Sequence, residues 1–337
     1  MVPFWYPGPI VLVPGKVEFH VFGILVGIAI LVGSTIAQNR AMSRQLNGKV
    51  VADLGLWVVI VGFLFAHWVS VLAYFPERVF GDPCTEVSDC LIAGEQFECG
   101  ASGRCNNGDP MELLRIWTGI SSFGGFLGAL IGILIWMNVT RIRIIPGFFE
   151  LEGGKGRPVI KYLDAIAFGF AFAWIFGRLG CFSAHDHVGM VTSSPLAVAF
   201  PDGWRSGVPA VAGYGPTGIT PRYDLGLLES LWAVGVSILY FAVRNRQDLR
   251  PGWFIAVMTM LYAPFRFYLD SLRAIDISGA DKRYFADLVP PGITPGQMGA
   301  VVVFILGVGV WVYGGRLMRD DAYRTRTDAP VPTLPPK

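Results

Sequence analysis

The chain has 337 residues, of which 53% are hydrophobic and only 15% are charged, and its formal net charge is +2. Soluble domains carry about 25% charged residues, so in water a chain this apolar would expose large hydrophobic patches. The composition therefore excludes a soluble enzyme, and the few, evenly spread Lys and Arg residues exclude nucleic acid as a partner. We expect an all-α, polytopic membrane protein.

A helix that crosses a bilayer needs roughly 20 mostly apolar residues. Seven stretches meet this requirement, and each must be helical because lipid offers no partner for backbone N–H and C=O groups. In chain order these predicted spans cover approximately residues 19–37, 52–74, 113–138, 163–180, 227–243, 253–269 and 297–313. The sequence therefore predicts seven transmembrane helices.

The distribution of basic residues predicts the orientation. The connections after spans one, three and five, together with the C-terminal tail, hold 16 of the 27 Lys and Arg residues. The side richer in Lys and Arg is cytoplasmic. The N-terminus is therefore expected outside and the C-terminus in the cytoplasm, as an odd number of spans requires.

The two ends of the chain lie outside the predicted spans. The first residues lack a basic segment, so no cleavable signal peptide is expected. The aromatic side chains of Phe4, Trp5 and Tyr6 suit an interfacial anchor. Residues 1–316 form the predicted membrane domain, and residues 317–337 are expected to be a disordered cytoplasmic tail.

A polar loop between spans two and three, about residues 76–112, contains four of the five cysteines. They are Cys84, Cys90, Cys99 and Cys105. The predicted topology places this insert outside, where disulfides persist. The alternative is a zinc site, but the cysteine spacings lack the close pairs that zinc ribbons use. Disulfides are favoured, with the pairing left open. The fifth cysteine, Cys181, is interpreted as a small packing residue.

Span six carries charged residues where charge is costly. Arg266, Asp270 and Arg273 stand at i, i+4 and i+7, on one face of its outer half. Two guanidiniums beside a carboxylate suit a phosphate-bearing ligand, because arginine binds phosphate through charge-assisted hydrogen bonds. The alternative is an interhelical salt-bridge network.

The outer end of span four gathers a second polar group. Arg178 is followed by His185, Asp186 and His187, and Asp164 lies fourteen residues before the arginine. Histidine and aspartate beside an arginine suit acid–base chemistry. A metal is not expected, because two histidines without a third identified ligand are weak grounds. The structural alternative is a turn at the membrane interface in which these polar side chains only form hydrogen bonds with one another and the backbone.

Glycines in span three and a long loop complete the pattern. Gly124, Gly128 and Gly132 recur every four residues, which favours close helix packing. Gly124 and Gly125, near the outer end, are also candidates for admitting a lipid. The external loop of about residues 182–226 begins at the histidine cluster and is expected to form a lid over an active site.

Two motifs in this order resemble the signatures of the bacterial prolipoprotein diacylglyceryl transferases. The end of span four reads GRLGCFSAHDHVG (residues 177–189), and span six contains YAPFRFYLDSLRAID (residues 262–276). Weaker similarities are RIWTGISSFGG, PRYDLGLLE, the pair Gly296–Gln297 and the spacing between Asp164 and Arg178. The resemblance covers most of residues 17–313, without the cysteine-rich insert and the tail.

The resemblance implies a seven-span enzyme of the bacterial inner membrane with its active site on the periplasmic side. Its reaction moves the diacylglyceryl group of phosphatidylglycerol to the thiol of a prolipoprotein's lipobox cysteine and releases glycerol phosphate. The implied partners are phosphatidylglycerol, prolipoprotein signal peptides and membrane lipids. No cofactor is implied.

Residue patterns and resemblance together define the candidate site. The catalytic candidates are Arg178, Asp186, Arg266, Asp270, His185 and His187. The substrate-binding candidates are Arg178, Arg266, Arg273, Gly124, Gly125, Asp164, Glu229 and His20.

The chain also departs from the family pattern. Phe123 stands where the family has a histidine that is proposed as the general base, and Cys181 stands where the signature has asparagine. Our hypothesis is that His185 or His187 takes the role of the base, with His20 as the next candidate.

Two other function classes compete with the transferase. The first is a paralogue that binds lipid or lipoprotein precursors without turnover, which the missing base favours. The second is a transporter or channel, which usually shows internal repeats with broken helices. The sequence shows no such repeat, and the retained arginines and carboxylates favour the enzyme.

Overall fold

The computed structural model describes most of the chain. The described residues are 1–8, 10–13, 17–92, 95–100, 102–116, 121–145, 149–204, 218–246, 248–277, 283–286 and 292–317. The fold is mostly helical, and the described part also contains four small antiparallel sheets. The prediction of an all-α fold is therefore corrected to a mostly helical fold with short strands.

Eight α-helices lie in the described part of the chain. They are α1 (Val21–Ser43), α2 (Gly48–Val69), α3 (Glu77–Phe80), α4 (Ser122–Asn138), α5 (Val159–Ala184), α6 (Leu225–Val243), α7 (Trp253–Ser271) and α8 (Pro295–Leu317). A π-helical turn, Ser70–Tyr74, continues α2. Apart from the short α3, these helices lie on the predicted apolar stretches.

Within the described residues, five helices are long and apolar enough to cross a membrane. These segments are Val21–Ser43, Gly48–Ala73, Val159–Ala184, Leu225–Val243 and Pro295–Gly314. Helix α7 is not among them, because Arg266 and Asp270 lower its mean hydropathy. Helix α4 has 17 residues and is shorter than a usual span.

The start predicted for the third span is wrong. Residues Pro110–Leu114 form a 3₁₀ turn, and α4 begins only at Ser122. The Ser121 hydroxyl accepts a hydrogen bond from the Gly124 N–H, which caps the helix at this point. Ahead of it, Arg115 forms ion pairs with Asp109 and Glu112. The helix therefore starts at the Ser121 cap, later than the apolar run predicts.

Short strands connect the helices. They are β1 (Ile10–Val13), β2 (Val17–Phe19), β3 (Leu91–Ile92), β4 (Glu95–Gln96), β5 (Arg141–Ile145), β6 (Phe149–Glu152), β7 (Val188–Val191), β8 (Val198–Pro201) and β9 (Ile219–Asp224). Three hairpins pair β1 with β2, β3 with β4 and β5 with β6, and a three-stranded sheet has the order β7-β9-β8.

The chain divides into two compact units, Met1–Ala52 with Pro158–Lys337, and Asp53–Arg157. In the first unit, α1 and α5 cross at Gly33 and Gly169. A Cβ added at Gly169 would lie 2.4 Å from the Gly33 carbonyl oxygen, so this crossing needs glycine. Buried residues of α5, α6 and α7, including Phe168, Tyr240 and Phe254, form the core beside it.

The second unit confirms the packing role predicted for the glycines of span three. Cβ atoms added at Gly124 and Gly128 would lie 2.4 and 2.5 Å from carbonyl oxygens of α2, those of Phe65 and Val61. Gly124 is therefore packed against α2, and its predicted second role of admitting a lipid stays a prediction. A Cβ added at Gly125 would meet nothing closer than 3.8 Å.

The cysteine-rich insert belongs to the same second unit. Cys84 is bonded to Cys99, and Cys90 is bonded to Cys105. The disulfide prediction is confirmed, and the structure selects one of the pairings that the spacing left open. The bonded cysteines form a small buried cluster of their own against Phe97.

The loop predicted as a lid contains the sheet β7-β9-β8, although its residues 205–217 lie outside the described part. Val2 pairs with Val198 in a parallel bridge, and the Phe4 ring stacks on the His185 ring at 4.4 Å. The N-terminal residues therefore pack on this sheet, and Phe4 is not a free interfacial anchor. The predicted disordered tail lies outside the described residues from 318 onward.

Candidate functional site

A buried carboxylate joins the two candidate arginines. Glu229, in the second turn of α6, forms ion pairs with Arg178 of α5 and with Arg266 of α7. The Arg266 Nη1 atom lies 3.0 Å from Glu229 Oε1, and the Tyr262 hydroxyl donates to the same oxygen at 3.2 Å. Glu229 is fully buried. Three helices thus contribute to one charge cluster.

Asp270 extends the cluster along α7. Its Oδ1 atom lies 3.0 Å from Arg266 Nη2 and 3.7 Å from Arg273 Nε. Its Oδ2 atom accepts a hydrogen bond of 2.6 Å from the Thr294 hydroxyl. A Cβ added at Gly296 would lie 2.1 Å from this oxygen, so the start of α8 needs glycine there.

Gln297 fixes the start of α8 beside the cluster. Its side-chain oxygen accepts from the Thr294 N–H at 3.0 Å, and its Nε2 donates to the Phe267 carbonyl at 3.2 Å. The pair Gly296–Gln297 therefore holds α8 close to α7 and keeps the Thr294 hydroxyl against Asp270. We refer to Arg178, Glu229, Arg266, Asp270 and Arg273 as the arginine cluster.

The arginine cluster has a net charge of +1 from three guanidiniums and two carboxylates. The guanidinium of Arg178 also stacks on the Trp174 ring, with its carbon 4.5 Å from the ring centre. A guanidinium has five N–H donors, and the ion pairs with Glu229 and Asp270 engage only part of the donors of Arg178 and Arg266. The cluster can therefore accept an anion while its carboxylates hold the arginines in place.

His185 makes structural contacts through both ring nitrogens, and its candidacy as a base stays a prediction. It ends α5 in a left-handed conformation, with φ of 48°, which turns its side chain away from the helix. Nδ1 lies 2.7 Å from Asp224 Oδ2, and Nε2 lies 3.0 Å from the Trp5 carbonyl oxygen. Both ring nitrogens are occupied and the side chain is fully buried, so His185 holds the turn after α5 in this structure.

Asp186 and His187 form a pair that remains accessible. His187 Nδ1 lies 2.6 Å from Asp186 Oδ1, and 39% of the Asp186 side chain and 21% of the His187 side chain are exposed. Desolvation raises the pKa of Asp186, but the hydrogen bond and charge of His187, with the charge of Arg178, outweigh it and hold this pKa below its usual value. The carboxylate is therefore ionised beside the imidazole.

Cys181, which the sequence analysis interpreted as a small packing residue, contacts the functional groups of this site. Its Sγ lies 3.5 Å from Arg178 Nη1. One potential ligand atom from each of Cys181, Asp186 and His187 lies within 4.8 Å of the others. One sequence signal pointed to Cys181, because it replaces a signature asparagine three residues after Arg178. The spacing did not show that the chain reverses at His185 and brings Asp186 and His187 near the sulfur.

Asp164 lies apart from the arginine cluster. Its Oδ1 accepts hydrogen bonds from the Phe254 and Ile255 N–H groups, at 2.7 and 3.2 Å. These donors are in the first turn of α7, so Asp164 caps that helix. It stands fourteen residues from Arg178 in α5, which is about 21 Å at the rise of an α-helix. In the structure Asp164 therefore caps α7, and its predicted substrate-binding role stays a prediction.

A second arginine–carboxylate pair holds the sheet to the end of α7. Arg222 of β9 is fully buried and binds Asp276 through two hydrogen bonds, of 3.0 and 2.5 Å. It also donates to the Gly189 carbonyl of β7 at 3.3 Å. The Arg222 guanidinium lowers the pKa of Asp276. Sequence reasoning missed Arg222, because nothing in the spacing relates positions 222 and 276.

The two remaining candidates, His20 and Gly125, lie at the start of α1 and in α4. His20 is the exposed residue before the first turn of α1, and its side chain does not cap the helix. Gly125, like the Phe123 position that replaces the family's histidine, belongs to the second unit.

Comparisons with known proteins agree with the resemblance. A family model described as prolipoprotein diacylglyceryl transferase matches residues 9–313. A phosphatidylglycerol–prolipoprotein diacylglyceryl transferase of Gloeobacter violaceus is 25% identical over 95% of this chain and 97% of its own length. Another, from Clostridium perfringens, is 24% identical over 89% of this chain and 92% of its own.

Proposed function

Because the chain belongs to the prolipoprotein diacylglyceryl transferase family, we propose that it transfers the diacylglyceryl group of phosphatidylglycerol to the lipobox cysteine of prolipoproteins. The observation that carries this proposal is the arginine cluster, where Glu229 holds Arg178 and Arg266 side by side. Phosphatidylglycerol and a prolipoprotein signal peptide are the two substrates.

The arginine cluster suits the charge that develops in this reaction. The substrate sulfur attacks the glyceryl carbon, the carbon–oxygen bond to phosphate breaks, and the phosphate oxygen keeps the electron pair. Arg178 and Arg266 stabilise that charge, a preorganised electrostatic effect worth several kcal/mol in other enzymes. Glu229 and Asp270 orient the guanidiniums before substrate arrives, so the cluster needs little rearrangement.

The second requirement is a thiolate, since the thiol itself is a weak nucleophile. We assign thiol activation to the Asp186–His187 pair, which adjoins Arg178 through Cys181. His187 is partly exposed, whereas His185 is buried with both nitrogens bound. Of the two histidines that follow Arg178, we therefore assign thiol activation to His187 alone.

The membrane arrangement is part of the proposal. We place seven spans in the bilayer, counting α4 and α7 with the five long apolar helices. The excess of Lys and Arg on one side predicts an external N-terminus and a cytoplasmic C-terminus. Arg178 then lies near the periplasmic end of α5, and the disulfide-bonded insert lies outside, in the bacterial inner membrane.

The test is a transfer assay with purified protein in vesicles of phosphatidylglycerol and a peptide that carries a lipobox cysteine. Mass spectrometry detects a diacylglyceryl adduct on that cysteine. We expect the adduct with the natural chain and its loss with Arg178→Ala. Folded protein that binds phosphatidylglycerol but gives no adduct would instead support the paralogue that binds without turnover.

The same assay tests the role of the histidines. We expect His187→Gln to lower the transfer rate by about 10²–10⁴-fold, the range for a positioned proton-transfer group. Since His187 is partly exposed, the variant should keep its thermal stability. A variant with normal turnover would eliminate His187 from thiol activation.

A further inference from the structure

A thiol, a carboxylate and an imidazole converge where α5 ends. One ligand atom from each of Cys181, Asp186 and His187 lies within 4.8 Å of the others. Zinc is bound by Cys, His and Asp, and catalytic zinc sites use three protein ligands with one open position. Zinc bond lengths place the ligand atoms of one tetrahedral site about 3.3–3.7 Å apart. The three ligand atoms are therefore near enough to one another for a single metal ion to draw them together.

The local backbone explains how residues so close in sequence meet. Cys181 lies in the last turn of α5, which ends at Ala184. The left-handed residue His185 then reverses the chain, and its own ring is held on the other side by Asp224 and Trp5. Asp186 and His187 are therefore presented to Cys181, which an uninterrupted helix would not allow.

The charges of the three ligands match a divalent cation. The Cys181 thiolate and the Asp186 carboxylate supply two negative charges, and His187 binds as a neutral ring. Arg178 Nη1 lies 3.5 Å from the Cys181 sulfur and can orient it as an outer partner. Asp186 and His187 are partly exposed, so a substrate thiol can reach the open position.

We propose that Cys181, Asp186 and His187 bind a zinc ion that activates the substrate thiol. This rests on the proposed transferase function and specifies how the Asp186–His187 pair serves it. A thiol that coordinates zinc is deprotonated. The lipobox S–H bond therefore breaks on binding, the proton passes to solvent, and the zinc-bound sulfur attacks the glyceryl carbon. The released glycerol phosphate carries the second negative charge that balances this proton.

This inference connects two departures of the chain from the family signature. Phe123 offers no proton acceptor, and Cys181 adds a metal-binding thiol at the end of α5. A zinc ion lowers the pKa of a bound thiol, so His187 serves thiol activation as a ligand of the ion rather than as the proton acceptor. The arginine cluster remains available for the phosphate, because Cys181, Asp186 and His187 are not part of it.

The first experiment measures metal in the purified full-length protein, by elemental analysis and by the cobalt spectrum after exchange. We expect about one zinc per chain and, with cobalt, a sulfur-to-cobalt charge-transfer band. Cys181→Ala should lose both. Asp186→Ala, which changes a partly exposed side chain, should lose the metal while keeping the fold. The matched control is His20→Gln, an exposed histidine outside this group, which should retain both.

The second experiment separates this inference from the proposed function. Transfer to a lipobox peptide is measured before and after chelation by phenanthroline, and again after zinc is restored. Loss and recovery of the adduct are expected. Protein that contains no metal after zinc exposure, yet transfers lipid at an unchanged rate with chelator, overturns the zinc site and leaves the transferase standing. Retention of the cobalt band in Cys181→Ala also overturns it.

Discussion

Two carboxylates, the fully buried Glu229 and the half-buried Asp164, differ in the groups that they contact, and this difference separates a functional role from a structural one. Asp164, near one end of α5, accepts hydrogen bonds from two backbone N–H groups that start α7. Glu229 of α6 contacts the other end of α5 and pairs with the guanidiniums of Arg178 and Arg266. Backbone N–H groups have a single hydrogen to donate, so the Asp164 contact is complete. Guanidiniums have further donors, so the Glu229 contact leaves binding capacity for an anion.

The largest effect is expected at Glu229. Glu229→Gln removes the charge that compensates two buried guanidiniums, and breaking such a buried pair costs about 3–5 kcal/mol. The measurement is the unfolding free energy in detergent, with Glu98→Gln as the control. Glu98 is exposed, and we expect its change to stay within about 0.5 kcal/mol. Equal losses of unfolding free energy in the two variants would contradict the claim that Glu229 holds the two buried guanidiniums.

The next effect concerns the guanidinium that Glu229 orients. We expect Arg178→Lys to lower the transfer rate by about 10²-fold and Arg178→Ala by about 10²–10³-fold, since lysine keeps the charge but loses the planar set of donors. The matched control is Arg250→Ala, an exposed arginine that stacks on Trp311. A rate for Arg178→Lys equal to that of the natural chain would mean that charge alone suffices.

A smaller effect is expected at Asp164. Asp164→Ala removes the acceptor that caps α7 and should lower the unfolding free energy by about 0.5–2 kcal/mol. Asp164→Asn keeps an oxygen acceptor and should lose less. The transfer rate per folded molecule should stay within about twofold in both, because the residue lies about 21 Å from Arg178 along α5. A transfer rate lowered a hundredfold would instead show that Asp164 contributes to the reaction.

The smallest effect is the pH dependence of the pair formed by Arg222 and Asp276. Because Arg222 lowers the pKa of Asp276, the pair stabilises the fold above the unfolded pKa of about 3.9 and loses this contribution as the pH falls through the lower folded pKa. The Asp276 side chain is 39% exposed, so solvent screening limits the effect to about 1 kcal/mol. Asp276→Asn should therefore melt below the natural chain at pH 6, and the difference should shrink in acid.

Much of the fold was predictable from local sequence. Apolar runs of bilayer length are helical wherever they are surrounded by lipid, so the helices could be located one by one. The four-residue glycine spacing of α4 and the disulfides of the insert also follow from residue types and their neighbours. The third span was the exception, since its helix starts at the Ser121 cap, later than the apolar run suggests.

The sequence by itself determined a helical membrane protein with arginines and carboxylates in its spans, because hydropathy and charge are properties of the residues. The tertiary structure decided which charges meet. Glu229 joins Arg178 to Arg266 because three helices pack together. A left-handed turn at His185 turns its ring into the protein and brings Asp186 and His187 to Cys181. Contacts of this kind depend on chain reversals and helix packing, which residue spacing does not encode.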